Sequence, residues 1–297
     1  MLSIFQAVVF GLIQGITELF PISSLGHSVL LPGLLGWQID QNNPYFLTFL
    51  VATHAATSLV LFGFFWRDWV RIIRGFFNSF KNRSVSEPDT RLAWLLIVAT
   101  IPAGLLAVLF EDQLKVLFAS PRVVAPVLIL NGLMLLGAER LRRRPVVPAS
   151  SKPASAPKGA GAPDDTDSQI AAHLTWKNTI QVGVLQCLAL IPGFSRTGST
   201  ITGGLLAGLS HEEAARFSFL LATPIIAAAA FVKLPELAFS GAQAVLLPTL
   251  AGAAAAAAAA YLSVRFLERY FKTETLTPFG VYCMVVGVGA GLVFWLR

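Results

Sequence analysis

Six apolar segments dominate this chain, and each has about the 20 residues that an α-helix needs to cross a bilayer. Only 13% of the residues are charged, against roughly a quarter in typical soluble domains. Inside a bilayer every backbone N–H and C=O group must find a partner in the protein, and a helix provides one within each segment. We therefore predict an all-α integral membrane protein. The predicted spans are residues 46–66, 92–110, 122–140, 214–232, 245–264 and 278–296.

Two further apolar segments, residues 4–36 and 178–208, are interrupted by prolines and polar residues. The first interruption contains ELFPISSLGHS, residues 18–28, and the second contains PGFSRTGST, residues 192–200. Irregular backbone at membrane depth is tolerated only where protein or a wet cavity surrounds it. Both segments are therefore predicted to be re-entrant helix pairs whose breaks face each other inside the protein.

Basic residues are concentrated in alternate loops, which predicts the orientation of the spans, since Lys and Arg favour the cytoplasmic side. Each half of the chain then has three spans, an odd number, so the two halves have opposite orientations. The first hairpin enters the membrane from outside and the second from inside. The basic loops are 67–91, 140–177 and 265–277, and those with at most one Lys or Arg are 37–45, 111–121 and 233–244.

The two interrupted segments also resemble each other in sequence. Residues 11–28, GLIQGITELFPISSLGHS, and residues 183–200, GVLQCLALIPGFSRTGST, share G-x-x-Q, an apolar half-helix, P-x-x-S and a nearby glycine. Inverted repeats with broken helices place a polar site near the membrane midplane. We predict a first repeat over 1–141 and a second over 174–297, each with one re-entrant pair and three spans. The Pro-, Ala-, Gly- and Ser-rich segment 142–173 is predicted to be a disordered cytoplasmic linker.

The first break carries groups that suit phosphate chemistry. Gln14 and Glu18 lie one helical turn apart, and Glu18 is able to bind a divalent cation or act as a base. His27 titrates near neutral pH. The hydroxyls and free N–H groups at the start of the next helix form an anion site. They belong to Ser23, Ser24 and Gly26.

The second break adds a guanidinium, Arg196, which binds phosphate through two parallel hydrogen bonds. Its other candidate residues for binding are Gly193, Ser195, Thr197 and Thr200. This inventory favours phosphoryl transfer, with a serine as nucleophile, over acyl transfer or redox chemistry. The alternative for Glu18 and Arg196 is a purely structural ion pair. His54 either lines the site or packs within its span.

Other functions find less support in the composition. Cys187 and Cys283 both lie in apolar segments, which predicts neither a disulfide nor a zinc site. The net charge of +6 comes from basic residues beside the spans, so nucleic acid is not an expected partner.

The two breaks resemble the motifs of the undecaprenyl-diphosphate phosphatase family, also called the bacitracin-resistance proteins. Residues 14–18, QGITE, run into residues 21–27, PISSLGH, and residues 192–200 supply the second motif. FWR at 65–67 and FSFLLATP at 217–224 extend the resemblance over nearly the whole chain outside the linker.

This resemblance implies hydrolysis of undecaprenyl diphosphate to undecaprenyl phosphate, which recycles the lipid carrier for peptidoglycan synthesis and confers bacitracin resistance. It implies Mg²⁺ or Ca²⁺, with Glu18 as a metal ligand, and a site facing the exterior of the bacterial inner membrane. The oligomeric state, including a homodimer, stays open. The catalytic residues implied by position are Glu18, Ser24, His27 and Arg196.

The sequence departs from the family pattern at four positions. Gln14 is the amide at a position where the family has either a glutamate or a glutamine. Leu25 stands where members often have a threonine, and Thr197 where they often have a serine. Leu50 stands where many members carry a carboxylate, four residues before His54. Each change removes a polar contact, and the loss bears on metal binding more than on the reaction.

Two mechanisms and two further functional hypotheses follow. In the first mechanism Ser24 attacks phosphorus with the help of His27; in the second, water attacks with His27 or Glu18 as base. A transporter or flippase for the lipid phosphate would use the same anion site in the same architecture. A phosphate-binding structural protein is the third, weaker interpretation.

Overall fold

The computed structural model describes residues 2–41, 43–110, 120–142, 165–238 and 246–296. These residues form twelve α-helices and one short 3₁₀ helix, Cys187–Leu190. Parts of three predicted connections, residues 111–119, 143–164 and 239–245, lie outside the described residues. The helices are α1 (Ile4–Thr17), α2 (Ser24–Leu35), α3 (Pro44–Phe64), α4 (Trp66–Asn82), α5 (Pro88–Leu109), α6 (Pro121–Leu141), α7 (Asp165–His173), α8 (Trp176–Gln186), α9 (Arg196–Leu206), α10 (His211–Ala238), α11 (Leu246–Tyr270) and α12 (Thr277–Leu296).

Six of these helices are long and apolar enough to cross a membrane: α3, α5, α6, α10, α11 and α12. They overlap the six predicted spans, which are therefore confirmed as helices long and apolar enough to cross a membrane. For α10 the qualifying segment is His211–Ala230, the first 20 residues of the helix. The described residues contain no named β-strand, so the all-helical prediction is also confirmed for that part of the chain.

The first interrupted segment consists of α1 and α2 joined by a tight turn. Ser3 caps α1 through a reciprocal pair of hydrogen bonds with Gln6. α1 ends at Thr17, before Pro21, because a proline lacks the N–H that a continuing helix would use. Ser23 then adopts a left-handed φ of 70° and caps α2. The turn therefore ends in a cap that starts a new helix immediately.

The second interrupted segment has the same order of elements. α8 is followed by the 3₁₀ helix, and α9 begins after Ser195, whose side chain caps it. Gly193 in the turn has a φ of 108°, which a residue with a side chain rarely adopts. Both interruptions are thus a broken helix followed by a serine-capped helix.

Each of these broken helices packs closely against a span from the other half of the sequence. In the N-terminal half, Gly11 of α1 faces Gly252 of α11 so closely that an added Cβ would clash with the Gly252 carbonyl oxygen. In the C-terminal half, a Cβ on Gly183 of α8 would lie 2.6 Å from the Ala99 carbonyl oxygen of α5. Small residues permit this close approach of helix backbones. The two halves of the chain therefore interlock.

Two helices lie outside the six spans and the two interrupted segments. α4 occupies much of the loop predicted over 67–91. α7 occupies the end of the segment 142–173, so the prediction of a disordered linker is wrong for its last 9 residues. The reason is burial: Ile170 and Ala171 of α7 are 0% and 2% exposed.

An ionic network fixes α7 to the helix bundle. The buried carboxylate of Asp167 accepts hydrogen bonds from Arg71 of α4 at 2.7 Å and from Arg216 of α10 at 2.6 Å. Burial disfavours the charge on Arg71, but its hydrogen bond to Asp68 and the nearby charges of Asp89 and Asp167 raise the pKa of Arg71 above its ordinary value. The guanidinium therefore remains charged and holds α4, α5 and α7 together.

Candidate active site

The two breaks meet directly. Thr197 Oγ1 donates a 2.9 Å hydrogen bond to the carbonyl oxygen of Glu18, which joins the second break to the first. A Cβ placed on Gly26 would lie 3.3 Å from Gly193 Cα, and one on Gly198 would lie 3.3 Å from the Pro21 carbonyl oxygen. The glycines therefore bring the two turns into backbone contact, as predicted from the need to shield irregular backbone.

Glu18 occupies the centre of this junction and is 7% exposed. Its Oε1 accepts a 2.7 Å hydrogen bond from Arg196 Nη2 of the second break. Its Oε2 accepts hydrogen bonds from Ser24 Oγ at 2.5 Å and Gln14 Nε2 at 3.1 Å. The structure therefore places three of the other candidate residues, from both breaks, around the carboxylate of Glu18.

His54 of α3 completes the cluster. Its Nε2 lies 3.4 Å from Glu18 Oε2, and its Nδ1 lies 2.7 Å from the carbonyl oxygen of Leu50. A carbonyl and a carboxylate are both acceptors, so this position suits an imidazolium that carries a proton on each nitrogen. Of the two alternatives for His54, the structure supports a position in the site rather than simple packing in the span.

Arg196 has donor capacity left after it binds Glu18. Its Nη1 atom is buried and has no hydrogen-bond partner among the described residues, although Nη2 is paired. Gln14 Oε1 is likewise buried without a partner in that part of the chain. A buried polar atom without a partner destabilises the fold by about 1–3 kcal/mol, which a bound ligand would relieve. The site therefore offers an unused cationic donor and an unused oxygen acceptor.

The remaining hydroxyls of the breaks make hydrogen bonds that support the local structure. Ser23 Oγ accepts from Gly26 N–H and Ser195 Oγ accepts from Gly198 N–H, each at 3.1 Å, so both act as helix caps. Thr200 Oγ1 donates to the carbonyl oxygen of Arg196 at 2.9 Å and also contacts Ser218 Oγ. These side chains hold the breaks in shape.

His27 lies beside the cluster and makes different contacts. Its Nδ1 is 2.7 Å from the carbonyl oxygen of Ser23, and its Nε2 is 2.9 Å from Tyr282 Oη of α12. The carbonyl accepts, so Nδ1 carries a hydrogen, and Nε2 of the neutral ring accepts from the tyrosine. Among the described contacts, the Ser24 hydroxyl is bonded to Glu18 and not to the imidazole of His27.

Asn131 of α6 links the two breaks through its side-chain amide. It was not among the site residues predicted from the sequence. It is 0% exposed, its Nδ2 donates to the carbonyl oxygen of Pro21 at 3.1 Å, and its Oδ1 accepts from the N–H of Ser195 at 3.0 Å. The sequence did contain a signal for this role: Asn131 is a single asparagine in the apolar run LILNGLML, and amides are unfavourable within spans. Tyr282 was missed too, as one aromatic among many in apolar segments.

The described residues contain no group of three His, Cys, Asp or Glu side chains placed to hold a metal ion. The oxygen ligands at the site are the Glu18 carboxylate and the unpaired Oε1 of Gln14, one turn away. This set fits a hard divalent cation whose other ligands come from phosphate oxygens and water. It does not fit a metal held by protein alone.

Six helices able to span a membrane and a buried carboxylate–guanidinium–serine–histidine cluster between two helix breaks define a multi-pass membrane protein with a polar site buried among its helices. Residues 7–289 match the family model described as "Bacitracin resistance protein BacA". The chain therefore belongs to the BacA family.

Several curated proteins resemble the chain over nearly its full length. The undecaprenyl-diphosphatase of Mycolicibacterium paratuberculosis is 49% identical, over 99% of this chain and 98% of that protein. The undecaprenyl-diphosphatase 2 of Chromobacterium violaceum is 44% identical over 98% of each chain. That of Frankia alni is 43% identical over 96% of each chain.

Proposed function

We propose that this protein is an undecaprenyl-diphosphatase, which hydrolyses undecaprenyl diphosphate to undecaprenyl phosphate and phosphate. The names of its relatives support this substrate. The observation that carries the proposal is the hydrogen bond from Ser24 Oγ to Glu18 Oε2 beside the unpaired Nη1 of Arg196. A hydroxyl that is oriented by a carboxylate and lies next to a guanidinium is an arrangement suited to phosphoryl transfer.

Ser24 acts as the nucleophile in this scheme. Its oxygen attacks the terminal phosphorus while its proton passes to Glu18 Oε2, and the bond from that phosphorus to the bridging oxygen breaks. Undecaprenyl phosphate leaves, and water then hydrolyses the phosphoserine to release phosphate. Arg196 Nη1 donates to the equatorial oxygens, where negative charge is concentrated. Glu18 replaces His27 as the group that assists Ser24.

His27 serves as a second proton carrier. It lies three residues after Ser24 in α2, hence on a neighbouring face of the same helix. Its Nε2 accepts from Tyr282 Oη, so this nitrogen is in contact with a second group that can exchange a proton. We assign its imidazolium form, which carries a proton on Nε2, the protonation of the departing lipid phosphate, which develops charge as the bridging bond breaks.

Glu18 and Gln14 Oε1 are the protein groups that would hold a divalent cation, Mg²⁺ or Ca²⁺, at this site. When bound, it would supply positive charge that neutralises the phosphates. Direct attack by water with Glu18 as base is the rival mechanism. It uses the same residues except the Ser24 oxygen.

The finer architecture we propose is an inverted repeat with two re-entrant helix pairs. Two observations support it: α1 packs on α11 as α8 packs on α5, and both breaks end in a serine cap. With the charge pattern of the loops, this arrangement suits a protein of the bacterial inner membrane with its site facing the exterior. There it would recycle the lipid carrier for peptidoglycan synthesis and confer bacitracin resistance.

We favour hydrolysis over lipid-phosphate transport, since a transporter has no use for the hydrogen bond that activates Ser24. Phosphate release from undecaprenyl diphosphate by purified protein in detergent separates the two, because no gradient exists there. We expect wild type to release phosphate, and a chelator to stop it.

Ser24→Ala should lose nearly all of this activity. Ser28→Ala is the matched control, since Ser28 is a buried serine one turn further along α2 that makes no hydrogen bond through Oγ among the described residues. Retention of most activity by Ser24→Ala would favour attack by water, and no hydrolysis by wild type would favour transport.

A further inference from the structure

Helix α4 differs from every span in the described part of the chain. It begins at Trp66, separated from the end of α3 by the single residue Phe65, and its 17 residues carry five charged side chains. It is absent from the candidate spans, although it continues from one of them. Its position at the end of a span places it where a bilayer meets water.

One face of α4 is fixed to the beginning of α5. Thr90 Oγ1 donates to the carbonyl oxygen of Gly75 at 3.1 Å, and a Cβ on Gly75 would lie 2.7 Å from Thr90 N. Further along, Trp94 Nε1 donates to Ser79 Oγ at 3.1 Å. α4 therefore lies against the first two turns of α5, at the membrane end shared by α3 and α5.

The opposite face of α4 carries a row of large apolar side chains that the described protein covers only in part. Trp66, Ile73, Phe77 and Phe80 are 54%, 44%, 64% and 60% exposed. Their spacings of seven, four and three residues place them on one side of the helix. Such a row is unfavourable in water, so it requires an apolar environment.

Three basic residues run along the edge of this apolar row. Arg67, Arg74 and Lys81 are exposed and seven residues apart, so they lie nearly in line. None of them forms an ion pair with an acidic side chain of the described residues. Arg71, by contrast, faces the bundle and pairs with Asp68, Asp89 and Asp167. The basic row is therefore free to bind external anions.

We propose that α4 lies in the membrane–water interface and binds the anionic phospholipid headgroups of the bilayer. The apolar row enters the acyl boundary, while Arg67, Arg74 and Lys81 contact phosphates beside it. An apolar face edged by Lys and Arg is the pattern of interfacial helices. Each Lys or Arg near the membrane surface strengthens binding to anionic lipid roughly fivefold.

The test measures lipid selectivity through Trp66. The full-length protein is reconstituted with brominated phosphatidylglycerol or brominated phosphatidylcholine, and quenching of tryptophan fluorescence is compared. The Trp66→Phe variant gives the signal of the other tryptophans. We expect wild type to prefer phosphatidylglycerol, and the variant with Arg67→Gln, Arg74→Gln and Lys81→Gln to lose about fivefold or more of that preference.

A matched variant with Lys177→Gln, Arg265→Gln and Arg269→Gln removes the same charge from exposed positions outside α4 and should keep the preference. The variant with Arg67→Lys and Arg74→Lys should keep it too, because charge is retained. If the glutamine variant fails to reconstitute, high salt should abolish the preference of wild type. An unchanged preference in the α4 variant, an equal loss in the matched variant, or no preference in wild type would overturn the proposal.

Discussion

Arg196 Nη2 lies 2.7 Å from Glu18 Oε1, across 178 positions of sequence. The Arg196 side chain is 13% exposed and the Glu18 side chain 6%, so the pair is shielded from bulk water. Neither break contains both charges, and each charge would be unfavourable alone at this depth. The pair therefore makes the two breaks mutually dependent, and the catalytic proposal depends on both.

Replacing Arg196 with lysine tests the proposed clamp on the diphosphate. Lysine retains the charge but cannot bind Glu18 through one nitrogen and phosphate through another in a fixed plane. We expect kcat/KM for undecaprenyl diphosphate to fall about a hundredfold, as when one preorganised donor is lost. Arg122→Lys, at an exposed position of α6, is the control and should behave as wild type. A near-normal rate for Arg196→Lys would refute the clamp.

His54→Gln tests the contact between His54 and Glu18. Glutamine keeps hydrogen-bonding groups near the carboxylate but removes the charge, so Glu18 is held less firmly. The loss of a charge-assisted contact worth about 1.4 kcal/mol corresponds to roughly a tenfold fall in kcat. His173→Gln is the control, since its ring pairs with Glu213 at 3.0 Å away from the site. Equal rates for the two variants would place His54 outside the reaction.

Asn131→Leu tests the link behind the two breaks. The change leaves the Pro21 carbonyl and the Ser195 N–H buried without their partner, and each loss destabilises by about 1–3 kcal/mol. We expect unfolding free energy to fall by about 3 kcal/mol or more, measured by thermal unfolding in detergent. Asn178→Leu removes a single, half-buried hydrogen bond to Ala207 and should have a smaller effect. Similar stabilities for the two variants would contradict the bridging role.

Gly11→Ala tests the close packing of α1 on α11. The new methyl group meets the Gly252 backbone, which cannot yield as a side chain would, so we expect a loss of about 1–3 kcal/mol in stability. Gly104→Ala in α5 is the control, because a Cβ there meets nothing within 4 Å. That variant should be unchanged or more stable by up to about 1 kcal/mol, since alanine favours helices. The opposite order of stabilities would contradict the packing.

The spans were predictable because hydropathy and length are local properties of the sequence. The breaks were predictable for a similar reason: Glu18, His27 and Arg196 are unfavourable in a bilayer unless the protein surrounds them. Their convergence followed from this requirement and was not visible in any single segment.

Other features depend on contacts between distant segments. From the sequence, Ser24 was expected to work with His27, which is close along the chain, whereas the structure pairs Ser24 with Glu18 and places Tyr282 against His27. Asn131 gained its role only when α6 brought it to both turns. α4 was hidden because its basic residues were counted as a loop, although its apolar spacing already indicated a helix.

The contact between Gly11 and Gly252 also determines when the packing of α1 can form during synthesis of the chain. α1 has 14 residues, too few to cross a bilayer unaided, and α11, which covers its glycine face, lies in the other half of the sequence. The α1 segment must therefore wait until α11 has been synthesised. A ribosome that stalls after α6 would leave three spans in the membrane and a first hairpin without its partner.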